Sequence, residues 1–172
     1  MPFIYHLVPI NMKGNIIYPL NILKFKLPDV YKEQIKKYTN RKSVQKIQIP
    51  ILNCSWLDVL HFTLIHPSKI KKALREIGFN KLPKLKWFKI RASSLDKNLT
   101  IIYLYKNESI KNSDFVKYSP SKFSLYNKIY KKTKKYYLKE FKKGKKPLFF
   151  AFVPHILYKN SLHIKSAEII EV

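Results

Sequence analysis

The 172-residue chain has one cysteine, Cys54, and only three glycines. A single cysteine excludes an internal disulfide and leaves a cysteine-rich zinc site without ligands. Three scattered glycines cannot build the Gly-rich phosphate loops of the common nucleotide-binding folds. The sequence also lacks the G-x-S-x-G elbow that presents a catalytic serine. The missing motifs exclude the common nucleotide-binding folds that use a Gly-rich phosphate loop, and serine hydrolases that use the G-x-S-x-G elbow.

Acidic residues are scarce as well, with 10 Asp and Glu against 35 Lys and Arg, and the formal net charge is +25. Carboxylates this sparse do not suggest a two-metal site, and we expect no metal cofactor. A large positive surplus repels itself, and a polyanion relieves that repulsion while releasing counterions. The charge therefore predicts a nucleic acid or nucleotide partner. An anionic membrane surface and a merely solvated lysine surface are the alternatives.

Long hydrophobic runs are missing too. No apolar run approaches the roughly 18 residues that a membrane span needs, and the first residues lack the basic region of a signal peptide. The 46% hydrophobic content is nevertheless too high for a disordered basic tail. We expect one folded, cytoplasmic domain over residues 1–172.

The spacing of apolar residues predicts strands interspersed with helices. The predicted strands cover residues 3–8, 43–52, 86–92 and 100–106, with two more on either side of a turn near Asn160. Helices are predicted after Asp29, from Ser68 to Gly78, and within a Lys-rich segment at 111–146. This order predicts an α+β fold with a mainly antiparallel sheet and flanking helices.

The Lys-rich segment 111–146 supports two interpretations. Its aromatic residues could stack on bases while lysines hold phosphates, and the predicted nucleic-acid-binding residues are Lys131, Lys132, Lys134 and Lys135. Alternatively, an amphipathic helix buries the aromatics and leaves the lysines in solvent. Helical spacing favours burial for Tyr126, Tyr130, Tyr137 and Phe141.

Histidines are the remaining candidates for chemistry. His6, His61 and His155 each lie in an apolar, strand-like run, where an imidazole must satisfy its nitrogens or face a cavity. We take these three as candidate catalytic residues, with a structural role in the core as the alternative. His66 and His163 lie nearer to turns and are weaker candidates.

The tripeptide from His61 to Thr63 resembles half of the motif of two-histidine phosphoesterases. In that family, paired His and Thr or Ser groups protonate and position a phosphodiester. The second half should recur downstream, where this chain offers HIL at His155 and HIK at His163. The resemblance implies a phosphodiesterase that uses His61 and Thr63.

Three longer stretches, IYHLVP, WLDVLHFTLIHPSKI and HILYKNSLHIKSAEIIEV, are similar in order and character to the ADP-ribosyltransferase-like superfamily, particularly its DarT-type members that modify DNA. This resemblance implies that fold, NAD as cofactor, and His6 as a contact to the nicotinamide ribose supported by Tyr5. His155 stands where the family has a catalytic glutamate, and Glu168 follows later in the chain.

These observations lead to one expectation with two alternatives. We expect a nucleic-acid- or nucleotide-directed protein, an NAD-using transferase of the ADP-ribosyltransferase-like kind. The alternatives are a non-catalytic basic nucleic-acid-binding protein and a phosphodiesterase built on His61 and Thr63.

Overall fold

Short runs of β-branched and aromatic residues form the strands of this protein, as their propensities favour. The computed structural model describes residues 2–106 and 109–172. Its strands are β1 (Phe3–Leu7), β2 (Ile16–Ile17), β3 (Gln48–Ile49), β4 (Cys54–Ser55), β5 (Leu60–Thr63), β6 (Lys86–Arg91), β7 (Thr100–Tyr103), β8 (Phe115–Lys117), β9 (His155–Tyr158), β10 (Leu162–His163) and β11 (Glu168–Glu171). Its α-helices are α1 (Leu20–Lys26), α2 (Pro28–Ile35), α3 (Lys42–Gln45), α4 (Pro67–Glu76) and α5 (Lys131–Lys142).

Seven strands form one antiparallel sheet in the order β11-β6-β1-β5-β9-β7-β8. Two small ladders, β10-β2 and β3-β4, stand outside it. The predicted α+β class with a mainly antiparallel sheet is therefore confirmed. Since β5 and β6 both pair antiparallel with β1, they run parallel to each other, and α4 makes the crossover between them.

The pairing of β5 is unequal on its two sides. Towards β9 it has four registered pairs, which include His61 opposite Leu157 and Thr63 opposite His155. Towards β1 it has a single registered pair, Tyr5 opposite Thr63. The ladder that joins β5 to β9 is thus longer than the ladder that joins β5 to β1.

Alternate residues of the central strands enter two separate apolar clusters, as the period-two geometry of strands requires. Ile102 and Ile156 belong to a cluster that includes buried residues of α4 and α5. Their neighbours Ile101 and Leu157 belong to a cluster that includes buried residues of α1 and α2. The sheet therefore has a packed core on each face.

Three helix starts differ from the prediction. The α2 helix begins at Pro28, so Asp29 lies in its first turn and does not cap it. The α4 helix begins at Pro67, and the His66 ring, rather than Ser68, caps it by accepting the Ser68 backbone N–H at 3.2 Å. The α5 helix begins only at Lys131, because the residues from Pro120 to Leu125 form a tighter 3-10 turn.

The aromatic residues of the Lys-rich segment 111–146 divide between core and surface. Tyr137 is fully buried and its hydroxyl donates to the carbonyl of Phe149, so its predicted burial is confirmed. Tyr126 and Tyr130 are half-buried and lie outside α5. Phe141 is 37% exposed and packs on Phe79, with ring centroids 6.3 Å apart.

The C-terminal strands do not pair with one another as a simple hairpin. Instead β9 lies between β5 and β7, β10 pairs with β2, and β11 pairs with β6 at the edge of the large sheet. Throughout residues 2–106 and 109–172, no helix is long and apolar enough to cross a membrane.

We expect Phe62→Ala to lower the free energy of unfolding by about 3–5 kcal/mol, because the Phe62 side chain is only 1% exposed and its loss leaves a cavity. The matched control is Phe25→Ala, since Phe25 is 80% exposed and its truncation should change stability by less than about 0.5 kcal/mol. Urea unfolding followed by circular dichroism measures both, and equal losses would contradict the placement of Phe62 in the core.

Candidate functional site

His61 and His155 lie on the same face of adjacent strands at the centre of the sheet. In the β5–β9 register, Thr63 is opposite His155, and His61 is two residues from Thr63 on the same strand face. The ring centroids of the two histidines are 6.4 Å apart, and both residues are half-buried. The pairing therefore brings two of the three predicted histidines together, and we call this place the histidine site.

Backbone carbonyls determine which nitrogen of each ring carries the proton. His61 Nε2 lies 3.0 Å from the carbonyl oxygen of Trp56, and His155 Nδ1 lies 2.6 Å from that of Val153. A carbonyl oxygen only accepts, so each of these nitrogens must be the donor. In the neutral rings this leaves Nδ1 of His61 and Nε2 of His155 as acceptors.

Both imidazoles are held neutral by their surroundings. Burial lowers the pKa of His155 from 6.5 to about 4, against the opposing effect of its hydrogen bond to Val153. Burial also lowers the pKa of His61 well below 6.5, and the nearby charges of His155 and Lys37 add to that shift. Each ring is thus neutral at neutral pH and a weaker base than an ordinary histidine.

Trp56 forms the wall of the histidine site, with its ring centroid 4.5 Å from that of His61 and 6.2 Å from that of His155. A turn fixes it there. The Asp58 carboxylate accepts the Ser55 backbone N–H at 2.8 Å and an amide N–H of Asn21 at 2.6 Å. Burial would raise the pKa of Asp58, but these hydrogen bonds outweigh it and lower the pKa. The Asp58 carboxylate thus stabilises the turn that holds Trp56.

Two aromatic residues beside His155 have an unusual backbone. Tyr105 and Phe152 have φ angles of 48° and 56°, in the left-handed region that bulky side chains seldom adopt. Their rings are 5.0 Å apart, and the Tyr105 ring is 5.9 Å from that of His155. Such strain concentrates at functional sites, although nothing in the two residue types predicts it.

Two cationic side chains that the sequence did not single out lie near these groups. The Lys37 residue is exposed overall, yet burial lowers the pKa of its ammonium to about 8, with a further contribution from Arg41. The Arg41 guanidinium donates to the backbone carbonyl of Lys37 at 2.7 Å and lies 5.4 Å from the centroid of the Tyr38 ring.

His6 is separated from the other two histidines by strand alternation. Because Tyr5 pairs with Thr63, His6 points to the opposite face, where its ring lies 5.4 Å from that of Phe62. Burial and the charge of Lys37 lower the pKa of His6 to about 4. The Nδ1 atom of His6 is buried without a hydrogen-bond partner in the described part of the chain.

Tyr5 and Glu168 differ in their relation to the histidine site. Tyr5 is opposite Thr63 and so shares the sheet face of His155, but it is 8% exposed and packs edge-on against His66 at 5.0 Å. Glu168 lies on the edge strand β11, where it accepts from Lys89 at 2.8 Å. The structure therefore keeps this glutamate several strands away from His155.

The four predicted lysines of α5 differ in their surroundings. Lys131 and Lys135 are exposed to solvent, and Lys134 forms an ion pair with Glu76 at 2.7 Å. The Lys132 ammonium donates to the carbonyl of Lys106 and lies 4.5 Å from the centroid of the Phe152 ring. Lys132 is thus the member of this group that lies closest to the aromatic residues around His155.

Within the described ranges, no three or more His, Cys, Asp or Glu side chains are grouped so that they could hold a metal ion. Comparison of the chain with protein-family models, with curated proteins and with solved structures gave no match. The function is therefore inferred from the chemistry and geometry of the histidine site alone.

We expect the depressed pKa of His155 to make folding stability depend on pH. The unfolded chain binds a proton near pH 6.5, whereas folded His155 binds it near pH 4. Its contribution is therefore full above about pH 6.5 and is lost as the pH falls to about 4. For a shift of this size the loss is roughly 2–4 kcal/mol.

His155→Gln should remove this part of the dependence, so its urea unfolding free energy should fall less between pH 7 and pH 4.5 than that of the wild type. Leu157→Ala on the same strand provides the comparison, because it should lower stability by a similar amount at each pH. Parallel wild-type and His155→Gln pH profiles would show that His155 is not buried in its neutral form.

Proposed function

We propose that the histidine site cleaves phosphodiester bonds in a nucleic acid or nucleotide by acid–base catalysis. The observation that carries the proposal is the β5–β9 register, which sets Thr63 opposite His155 and His61 opposite Leu157 on one strand face. A local twofold axis of the antiparallel pair therefore relates two tripeptides. One runs from His61 to Thr63, and the other runs from His155 to Leu157. It is the relation expected of two halves of a His-x-Thr motif.

The spacing of the two rings suits a phosphate. Their centroids are 6.4 Å apart. A phosphate that lies between two imidazoles, and accepts a hydrogen bond of about 2.9 Å from each, requires a separation of this order. Two imidazoles at this separation can act on opposite oxygens of the same phosphorus. General acid–base catalysis requires that placement before it requires matched pKa values.

The reaction follows from the protonation states. One neutral imidazole removes the proton of an attacking hydroxyl or water, whose oxygen forms a new bond to phosphorus. The other, as imidazolium, gives its proton to the leaving oxygen as the old P–O bond breaks. His155 Nε2 and His61 Nδ1 are the nitrogens that their carbonyl contacts leave for these steps.

Neighbouring groups support the charge of the substrate. Thr63 Oγ1 accepts the backbone N–H of Ile65 at 3.1 Å, which leaves its hydroxyl proton to donate on the face shared with His155. The Lys37 ammonium provides a positive charge in the same neighbourhood. A bound phosphate favours the imidazolium form and would raise the low pKa values of the histidines towards neutrality.

One half of the motif lacks its hydroxyl. Leu157 occupies the place that corresponds to Thr63, and it is completely buried in the cluster with residues of α1 and α2. Leucine cannot donate a hydrogen bond, so the proposed site stabilises the phosphate asymmetrically.

The expectation of an NAD-using, ADP-ribosyltransferase-like enzyme stays a prediction. The feature that favours a ligand near His6 is its buried Nδ1 atom, which has no partner among the described residues. On this alternative, turnover requires NAD and depends on His6 more than on His61. The same assays therefore separate the two functions.

We expect His61→Asn and His155→Asn each to reduce hydrolysis of bis(p-nitrophenyl) phosphate, and of cyclic and linear dinucleotides, by about 10²-fold or more, because each change removes one proton-transfer group. Thr63→Val should cause a smaller loss, since it removes one hydrogen bond. His163→Asn is the matched control, because His163 is an exposed histidine on β10, and its activity should equal that of the wild type.

Thermal melts monitored by circular dichroism establish that the variants fold. Normal activity in both folded His61→Asn and His155→Asn would refute the phosphodiesterase proposal. Turnover that appears only with labelled NAD, and that is lost in His6→Asn, would replace it with the transferase alternative.

We also expect kcat/KM to fall with rising pH. The free protein needs one imidazole protonated, and both pKa values lie below 6.5, with that of His155 at about 4. The protonated fraction above both pKa values drops about tenfold per pH unit, so activity should be highest in acid. A profile that rises from pH 5 to pH 8 would contradict this assignment of the acid.

A further inference from the structure

A cluster of basic side chains lies beside α4, outside the histidine site. Residues of α4, the segment before β6 and the end of β11 line an open cleft of about 480 Å³. Its lining includes Lys71, Lys72 and Arg75 from α4, Lys84, and the last two residues of the sequence, Glu171 and Val172, of which Glu171 has an acidic side chain. We call it the α4 cleft.

The cations of the α4 cleft are available to a ligand. In the described ranges, none of these four side chains has a carboxylate oxygen within ion-pair distance, although Glu171 lines the same cleft. Glu76 is paired with Lys134 of α5 at 2.7 Å, and the charge of Lys72, four residues before it on α4, also acts on its carboxylate. The four cations of the cleft therefore outnumber the acidic side chains around them.

Packing fixes the helix that presents these cations. Ile70, Ala73 and Leu74 are buried in the core, so Lys72 and Arg75 project from the opposite, exposed side of α4. Lys84 reaches the cleft from the segment that leads into β6. Since two separate parts of the chain converge, the site is more than the solvated face of one helix.

We propose that the α4 cleft binds the phosphate backbone of a single-stranded nucleic acid, independently of the histidine site. The volume lies in the range of roughly 300–1,000 Å³ that holds a small ligand, which suits one or two units of a flexible strand better than a duplex. Lysine ammoniums contact phosphates as point charges without reading base edges, so binding should be largely independent of sequence.

A membrane surface fits the α4 cleft less well. Peripheral membrane segments add exposed apolar side chains to their basic residues, whereas the cations here line a concavity. The proposal does not depend on phosphodiester cleavage, because binding is measured without turnover.

The test compares two triple variants with the same change of charge. Lys71→Gln, Lys72→Gln and Arg75→Gln together remove the α4 cations, whereas Lys24→Gln, Lys26→Gln and Lys32→Gln remove three exposed lysines of α1 and α2. Fluorescence anisotropy with labelled oligo-dT and oligo-U of about twelve nucleotides gives the affinity over a salt series, a length within the known range of single-strand sites.

We expect the α4 variant to bind both oligonucleotides at least tenfold more weakly at low salt. The slope of log K against log salt should decrease in magnitude by about 2, because roughly 0.7 is lost for each of three phosphate contacts. The control variant should change both quantities much less. Equal losses in the two variants would overturn the proposal, because they would show only the effect of net charge.

Two further measurements keep the proposal separate from its alternatives. Sedimentation with phosphatidylserine-containing vesicles tests membrane binding, and loss of vesicle binding with intact oligonucleotide binding would overturn the nucleic acid assignment. Hydrolysis of bis(p-nitrophenyl) phosphate should be unchanged in the α4 variant. If that hydrolysis is absent from the wild type, the phosphodiesterase proposal fails while the binding result still decides the α4 cleft.

Discussion

The pairing of β5 with β9 is the constraint on which the rest of the structure depends. These strands lie inside the seven-stranded sheet, with three strands beyond β5 and two beyond β9. Their register directs His61 and His155 to one face and Phe62 and Ile156 into the core on the other. A slip of one residue would exchange those faces. The stability of the core and the geometry of the histidine site are thus specified by the same hydrogen bonds.

Much of the local structure was predictable, and most of its assembly was not. The apolar patterns at residues 3–8, 86–92 and 100–106 correspond to β1, β6 and β7, because strand alternation is a local property. The pairing of β9 with β5 joins segments far apart in the chain, and no local pattern encodes it. The helical spacing of Tyr126 and Tyr130 was also misleading, since both residues lie before the start of α5 at Lys131.

The candidate site divides in the same way. His61 and His155 could be chosen from sequence because an imidazole in an apolar strand needs an explanation. His6 satisfied the same criterion, and only the register of β1 shows that it faces away. Lys37 could not be predicted as a site residue, because nothing in its local sequence distinguishes it among 35 basic residues. The same holds for the left-handed backbone of Tyr105 and Phe152, whose rings lie 5.0 Å apart beside His155.

The single registered pair between β1 and β5 has a mechanical consequence. It divides the sheet into a block of β11, β6 and β1 and a block of β5, β9, β7 and β8. The chain crosses between the two blocks four times, and α4 lies in one of these connections. Separating the blocks would break fewer ladder hydrogen bonds than separating β5 from β9. Side-chain packing therefore holds this seam, since Ile4 of one block and Phe62 of the other belong to the same buried cluster. Bending there would move His6 relative to His61 while the spacing of His61 and His155 stays fixed. A change at this seam would therefore alter the contact of His6 with Phe62 and leave the paired imidazoles as they are.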